Sequence, residues 1–389
     1  MAVYANRHRS IAAPKRASET VAEFYDRIAG SYWDQVREVI NAWWTRFPAH
    51  AQQALRSRLL DRNSDANVYS AMWELYLHEM LLGSGCTVEV EPNIGTRGKN
   101  PDFVATLDGQ SFVVEAIWRS ERIDSSAHGP LASQLMDAIE SVPSPNFVLA
   151  VSINRAGVTA PPQKRLKIEL ATWLASLDPD VALADQEKGR RRFPRHTWLE
   201  ADWSISFEAI PRSPGKRGAR SNRTIGFYPA LTYIGGRSES VLDAVKKKGS
   251  RYGTLVHPFI VAVGNSALFP DDEDVETSLY GSSVEYAHTA AAPTFGRQKD
   301  GYWHSSRERQ HSHVSGVLVV DNPSPGTWAR AVPTLWRNPD PSHHHSPVLP
   351  TWAIAQLIGV AVDHQPAAAP PYTALGLDEG WPTGEAFPR

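Results

Sequence analysis

The chain has 389 residues, of which 42% are hydrophobic and 21% are charged, and its formal net charge is −2. This composition is enough for a packed core in one large or two ordinary domains. The single cysteine, Cys86, excludes a disulfide framework, and no apolar run approaches the roughly 20 residues that span a bilayer. We therefore expect a soluble, cytoplasmic protein without a membrane partner, and a basic N-terminus that is a short disordered tail and not a signal peptide.

Two helices are predicted before residue 62. Residues 18–44 carry an apolar stripe at helical spacing, with Ser18 as the N-cap, and Pro48 ends the pattern before a second helix at 49–60. The stripe consists of Phe24, Ile28, Trp33, Val36, Ile40 and Trp43. Aromatic stripes of this kind are far more often core than ligand sites. Residues 1–62 are thus predicted to be a tail and a helical lead-in.

The next stretch predicts a helix followed by three strands. Apolar residues recur at three- and four-residue steps over 67–82, and Gly83 and Gly85 end this helix. Residues 86–90, 103–107 and 111–117 are rich in strand-forming residues. The last two strands are separated by Asp108 and Gly109, a pair typical of a hairpin turn.

Three acids in this stretch occupy positions where apolar residues are expected. Glu74 shares a helix side with neighbours three and seven residues away, which are Ala71, Leu77 and Leu81. Asp102 follows Pro101 at the start of a strand, and Glu115 interrupts the apolar run Phe-Val-Val-Glu-Ala-Ile-Trp. A carboxylate in such a run costs several kcal/mol unless it is paired, hydrogen-bonded or metal-bound. Carboxylates at facing strand ends are also what Mg²⁺ requires of a protein.

With Pro101-Asp102, a Glu115 thirteen residues later and Glu74 on the preceding helix, this stretch resembles the PD-(D/E)XK nuclease superfamily, which includes restriction endonucleases. The resemblance implies that Asp102 and Glu115 hold Mg²⁺ or Mn²⁺, with the Ala116 carbonyl as a further ligand. Glu74 would orient a metal-bound water. In the superfamily a lysine two residues after the glutamate polarises the attacking water, but here that position is Ile117.

A lysine from another element would have to replace it. Lys248 is the preferred candidate, on a helix predicted at 239–252, and would stabilise charge in the transition state. Lys246 and Lys247 compete for this role, and Arg119 and Lys99 are weaker candidates. The alternative that the three consecutive lysines are only surface charges stays open.

The rest of the chain alternates between helices and apolar strands. Helices are predicted at 131–141 and 163–177, and strands at 147–153, 203–210, 225–228, 257–264 and 314–320. This order favours an α/β fold with a mixed sheet flanked by helices, as in a restriction endonuclease-like core. We place that core at 63–265 and an α/β C-terminal elaboration at 266–389. Within the elaboration, a Pro- and Trp-rich tail wraps the core, 351–362 is a closing helix, and residues from 365 onward are disordered.

Positive charge is concentrated in the middle of the chain. Residues 186–252 contain fifteen Lys or Arg against six Asp or Glu, although the whole chain is slightly acidic. Basic insertion loops near 186–223 and the lysines at 246–248 suit phosphate contacts. The predicted nucleic-acid-binding residues are Arg190, Arg191, Arg192, Lys216, Arg217, Arg220, Lys246 and Lys247. Solvated surface loops are the alternative.

Other chemical patterns are weak or missing. His304, His311 and His313, and the run at 343–345, have no zinc-site spacing with cysteines, and the acidic run 271–274 is interpreted as a solvated turn. Phosphate-binding Gly-rich loops and a Gly-x-Ser-x-Gly elbow are not found in the sequence. These observations argue against an NTPase, a dinucleotide-dependent oxidoreductase and an acyl-transfer enzyme.

The sequence therefore predicts a metal-dependent phosphodiesterase that cleaves nucleic acid, best described as a DNA endonuclease of restriction or defence type. Restriction-type enzymes are often dimers, so a homodimer is left open. Two alternatives remain: an inactive nuclease-fold module that binds nucleic acid or a partner protein, and a scaffold subunit with the Trp-rich tail as an interface.

Overall fold

A computed structural model describes residues 2–94, 100–119, 129–187, 193–200, 202–218, 224–227, 245–246, 252, 255–265, 272–286, 294–304, 311–344 and 346–387. Residue contacts divide the chain into two compact units. Unit 1 comprises Met1–Ala12, Val21–Glu121 and Ile234–Ala386, and unit 2 comprises Ala13–Thr20, Arg122–Tyr233 and Phe387–Arg389. The segments of the two units alternate along the chain. Within these ranges, no helix has the length and apolar character needed to cross a membrane.

The secondary structure alternates as predicted for an α/β protein. The helices are α1 (Val21–Arg27), α2 (Ser31–Arg46), α3 (Ala49–Leu59), α4 (Asp65–Gly83), α5 (Gly129–Glu140), α6 (Gln163–Ala175), α7 (Pro179–Glu187), α8 (Asp272–Tyr280) and α9 (Pro371–Leu375). The strands are β1 (Thr87–Val90), β2 (Phe103–Leu107), β3 (Gln110–Arg119), β4 (Phe147–Arg155), β5 (Arg195–Glu200), β6 (Trp203–Pro211), β7 (Ile225–Phe227), β8 (Phe259–Asn265), β9 (Ser283–Tyr286), β10 (Thr294–Arg297), β11 (Gly316–Asp321), β12 (Thr334–Arg337), β13 (Ala353–Ile358) and β14 (Ala361–Gln365).

The helix predicted at 18–44 is two helices, α1 and α2. Gly30 lies between them with φ at 116°, a conformation outside the helical range that glycine adopts easily because it has no Cβ. The predicted apolar stripe is nevertheless buried on both helices. Ser64, whose hydroxyl accepts a hydrogen bond from the Asn67 N–H, caps the following helix α4.

Unit 1 is built on an eight-stranded mixed sheet in the order β1-β2-β3-β8-β11-β12-β13-β14. The first three strands form an antiparallel meander, and β8 then pairs with β3 in parallel. Strand β3 therefore has a hydrogen-bonded neighbour on each side, which explains the almost continuous apolar run around Glu115. The predicted α/β fold with a mixed sheet flanked by helices is confirmed.

The two faces of the unit 1 sheet pack into different apolar clusters. Val114 and Ala116 of β3 belong to the cluster that contains α4, and Val113 belongs to the other cluster. Successive strand residues point to opposite faces. Side chains at odd positions of β3, Glu115 included, thus leave the sheet on the face opposite α4.

Unit 2 has its own four-stranded sheet and its own core. The strand order is β5-β6-β4-β7, and residues of α5, α6 and α7 join these strands in a separate buried cluster. In this unit, the Asp137 carboxylate accepts a 2.6 Å hydrogen bond from the Ala17 N–H.

Three predictions for the C-terminal part are corrected. Residues 351–362 form the hairpin β13–β14 and not a helix, with Gly359 at φ 65° in the turn. Residues 366–387 are ordered, because Leu375 and Trp381 are buried in the first cluster. Residues 272–274 of the acidic run are in the first turn of α8, where carboxylates offset the positive end of the helix dipole, and residue 271 lies outside the described residues. The tryptophans of the Trp-rich part, Trp328, Trp336 and Trp352, are buried.

Candidate functional site

Two of the predicted acids, Asp102 and Glu115, lie at neighbouring strands, and the carboxylate of each accepts a hydrogen bond from a backbone N–H at the other strand. The Glu115 Oε2 accepts from the Asp102 N–H at 3.3 Å, and the Asp102 Oδ2 accepts from the Ala116 N–H at 2.7 Å. Asp102 immediately precedes β2 and Glu115 lies in the paired strand β3. The antiparallel register thus sets the two carboxylates side by side.

Glu115 is fully buried, with 0% of its surface exposed. Its side chain leaves the sheet on the face of Val113 and Ile117, and the Tyr252 hydroxyl donates a 2.6 Å hydrogen bond to its Oε2. A buried carboxylate is tolerated only when donors replace the lost water. Tyr252 and the Asp102 backbone provide two such donors.

The third predicted acid, Glu74, is engaged by an arginine of the neighbouring helix. Arg58 of α3 binds both carboxylate oxygens of Glu74 through its two terminal amino groups, and the Glu74 side chain is 13% exposed. Such two-pronged pairs combine charge with fixed geometry. Glu74 is therefore held by an ion pair between two helices.

Arg58, Glu74 and Asp102 line one small cleft, together with Glu91 and the ring of Phe103. Burial lowers the pKa of the Arg58 guanidinium, but its hydrogen bonds to Glu74 and the charges of Glu74, Asp102 and Glu91 outweigh burial and raise that pKa above its usual value. Arg58 therefore remains a permanent cation at the centre of three carboxylates.

The structure does not gather all three acids around one point. Asp102 lies next to Glu115 on one side and shares the cleft with Glu74 on the other, whereas Glu74 is on a helix against the face opposite the Glu115 side chain. Within the described parts of the chain, no group of three or more His, Cys, Asp or Glu residues is placed to hold a metal ion.

Asp102 and Glu115 offer two carboxylates, and this donor set fits a hard divalent cation. Mg²⁺ in phosphoryl-transfer sites is held by one or two carboxylates, with waters and substrate phosphates as its other ligands. Both residues offer only oxygen, and backbone N–H groups and a tyrosine hydroxyl donate to their carboxylates. These two are the residues that could hold Mg²⁺ or Mn²⁺.

The predicted replacement for the missing lysine cannot be placed. Lys248, Lys247 and Lys99 lie outside the described residues. Ile117 is on the same face as Glu115 and packs against the second cluster, so it contributes no charge. Arg119 also lies at an odd position of β3, but four residues along a strand separate it from Glu115 by about 13 Å.

Lys246 is described and lies near a pair of histidines. His311 stacks on Tyr302 with ring centroids 4.1 Å apart, and its pKa is lowered by burial and by the charges of His313 and Lys246. This cationic surrounding disfavours a further positive charge on His311.

The predicted basic loop of unit 2 is described only in part. Lys216 is exposed on a short 3-10 helix, Pro214–Lys216. Arg217 is mostly covered and pairs with Asp180 at 2.7 Å, which indicates a structural role. Arg190, Arg191, Arg192 and Arg220 lie outside the described residues.

The sequence did not indicate Arg58 and Tyr252 as partners of the acids. Arg58 stands 16 residues before Glu74, and Tyr252 stands 137 residues after Glu115. The only available hint for Arg58 was its position on an otherwise apolar side of α3, between Leu55 and Leu59. No local pattern indicated Tyr252.

Comparisons with known proteins do not identify a relative. The chain matches no protein-family model, no curated protein and no solved structure.

Proposed function

We propose that this protein is a metal-dependent phosphodiesterase that acts on nucleic acid, as a DNA endonuclease of restriction or defence type. The observation that carries the proposal is the mutual link between Asp102 and Glu115, in which each carboxylate accepts a backbone N–H of the other residue's strand. A buried carboxylate such as Glu115 is costly for the fold, and a role in chemistry explains why it lies beside a second carboxylate.

The order of elements in unit 1 also supports a restriction endonuclease-like core. Helix α4 is followed by the meander β1-β2-β3, and β8 then pairs in parallel with the strand that carries Glu115. The resemblance of residues 67–119 to the nuclease superfamily implies this order, in which an Asp and a Glu on adjacent strands follow a helix that bears an acid.

The proposed roles follow from position. Asp102 and Glu115 hold Mg²⁺ or Mn²⁺, and the cation when bound supplies positive charge and an activated water for phosphodiester cleavage. Tyr252 fixes the orientation of the Glu115 carboxylate. Arg58 fixes Glu74 through both of its terminal amino groups and places a permanent positive charge beside Asp102. Lys248 remains the proposed charge-stabilising lysine.

The test is cleavage of plasmid, single-stranded DNA and RNA with Mg²⁺ or Mn²⁺. We expect Asp102→Asn and Glu115→Gln to cut at least 100-fold more slowly than wild type. Asp108→Asn is the matched control, because Asp108 lies in the β2–β3 turn with φ at 50°, a conformation that asparagine tolerates. Failure of the wild type to cut any substrate, together with failure to bind either ion, would overturn the proposal.

A second candidate function is supported by the Arg58–Glu74 pair. Because both Glu74 oxygens are bound by Arg58 and Ile117 replaces the usual lysine, the site also suits a nuclease-fold module that binds nucleic acid or a partner protein without cutting. Fluorescence anisotropy with labelled DNA separates the two candidates: binding without cleavage under both metals favours the module.

A further inference from the structure

A second concave site, lined by other residues than the cleft at Asp102, lies where the N-terminal segment meets α1 and the end of α3. It is a surface cavity of about 490 Å³, within the range of small-molecule sites. Three of its lining side chains are arginines, Arg7, Arg56 and Arg62, and Asp26 is the acid among them. Three positive charges against one negative charge leave the lining with an excess of two.

The hydrogen bonds of these arginines leave donors unused. Arg7 and Arg62 each reach a different oxygen of the Asp26 carboxylate, at 3.0 and 3.3 Å. Arg56 donates from Nε to the Ala2 carbonyl at 3.0 Å, and its terminal amino groups have no acceptor in the part of the chain that the structure describes. Each guanidinium carries five N–H donors, so most donors on the cavity wall are available to a ligand.

Like charges are crowded around this cavity. Arg9 lies 3.8 Å from the same Asp26 carboxylate and is almost covered, and its pKa is lowered by burial and by the neighbouring charges of Arg37 and Arg7. The Asp26 carboxylate thus pairs with three guanidinium groups, those of Arg7, Arg9 and Arg62. An anion in the cavity would relieve this repulsion.

The chemistry of the wall favours phosphate. Guanidinium groups bind phosphate oxygens in pairs, and a phosphate monoester carries about −1.5 to −2 at pH 7, which matches the excess charge of the lining. Val3 and Leu60 provide an apolar wall for the carbon part of the ligand. We propose that this cavity binds the phosphate monoester of a small molecule of mononucleotide size.

This inference does not depend on the proposed nuclease activity. A mononucleotide and the 5′-phosphorylated end of an oligonucleotide both present a monoester, so both are used as probes. Titration calorimetry of the full chain in EDTA compares AMP, adenosine, inorganic phosphate, and one oligonucleotide with either a 5′-phosphate or a 5′-hydroxyl.

We expect AMP to bind at least tenfold more tightly than adenosine, and Arg56→Ala and Arg62→Ala each to weaken AMP at least tenfold. Arg330→Ala is the matched control, because Arg330 is exposed and donates to the Gly326 carbonyl elsewhere in unit 1. A rise in the melting temperature on adding AMP, present in wild type and absent in Arg56→Ala, confirms the site in folded protein.

Preference for the 5′-phosphorylated oligonucleotide over both AMP and the 5′-hydroxyl form also supports the monoester site, with a nucleic-acid end as the source. The proposal is overturned if adenosine binds as tightly as AMP. It is also overturned if no monoester binds at millimolar concentration, or if the arginine variants bind AMP like wild type.

Discussion

Arg58 of α3 binds both carboxylate oxygens of Glu74 on α4, and in doing so places a positive charge next to Asp102. An acid expected to orient water is thereby held by an internal cation. The pair joins two helices of unit 1 at the edge of the cleft, so it has consequences for stability that can be measured without knowing the substrate.

Arg58→Ala should lower the free energy of unfolding by about 2 kcal/mol, because the variant leaves a mostly covered carboxylate without its charged partner. Urea unfolding followed by circular dichroism measures the effect. Arg56→Ala on the same helix is the control, with an expected change below about 0.5 kcal/mol. The double variant Arg58→Met/Glu74→Gln should recover part of the loss. Equal stability of the two alanine variants would contradict the prediction.

Tyr252→Phe should lower the free energy of unfolding by about 1.5–3 kcal/mol, since it removes a donor from the buried Glu115 carboxylate. Tyr302→Phe is a matched control in the same apolar cluster, because the Tyr302 hydroxyl is buried without an acceptor among the described residues. Removal of the Tyr302 hydroxyl should leave the free energy of unfolding unchanged or raise it slightly. Thermal melts of both variants decide the matter, and a larger effect at Tyr302 than at Tyr252 would refute the assigned roles.

Cys86 should make stability depend on pH between about 9 and 11. Burial, and then the charge of Asp108, raise the pKa of its thiol from 9.0 to about 11. The unfolded chain therefore loses this proton at lower pH than the folded protein does, so the contribution to stability is complete below pH 9 and declines as the pH rises through this window.

The experiment for Cys86 compares wild type with Cys86→Ala by urea unfolding at several pH values. The difference in unfolding free energy between them should shrink from pH 9 to pH 11. Iodoacetamide should also label the native protein at pH 8 far more slowly than the urea-unfolded protein, since the buried thiol is protonated. A constant difference with equal labelling rates would show that the thiol is not buried as described.

Gly264→Ala should destabilise unit 1 by about 1–3 kcal/mol. A Cβ at this position of β8 would lie 2.9 Å from ring atoms of both Trp118 and Trp73, and neither rigid ring can move aside cheaply. Gly380→Ala is the control, because nothing lies within 4 Å of a Cβ there. Differential scanning calorimetry compares the two. A Gly264→Ala melting temperature equal to that of the control would mean that the rings repack.

The sequence predicted correctly those elements whose structure depends mainly on residues close to each other in the chain. The strand around Glu115 follows from the strand-forming, almost continuously apolar residues of one segment. The segment 351–362 was predicted as a helix because its apolar residues suit either period, and pairing of β13 with β12 and β14 decides for strands.

Of the candidate site, the sequence predicted the acidic residues but not their partners. Asp102 and Glu115 are close in sequence, and a hairpin register is enough to bring them together. The partners Arg58 and Tyr252 come from other elements, and contacts across such separations depend on how those elements pack. Sequence patterns with helix or strand periods carry no information on that packing.

The pairing of β3 with β8 has a consequence for how the protein is made. Between these neighbouring strands the chain passes through Arg122–Tyr233 of unit 2, so β3 emerges from the ribosome long before its parallel partner. Until then, one edge of an apolar strand containing a buried carboxylate is exposed to other chains. We expect nascent chains that stop before β8 to depend on chaperones, and slow synthesis of unit 2 to lower the yield of soluble protein.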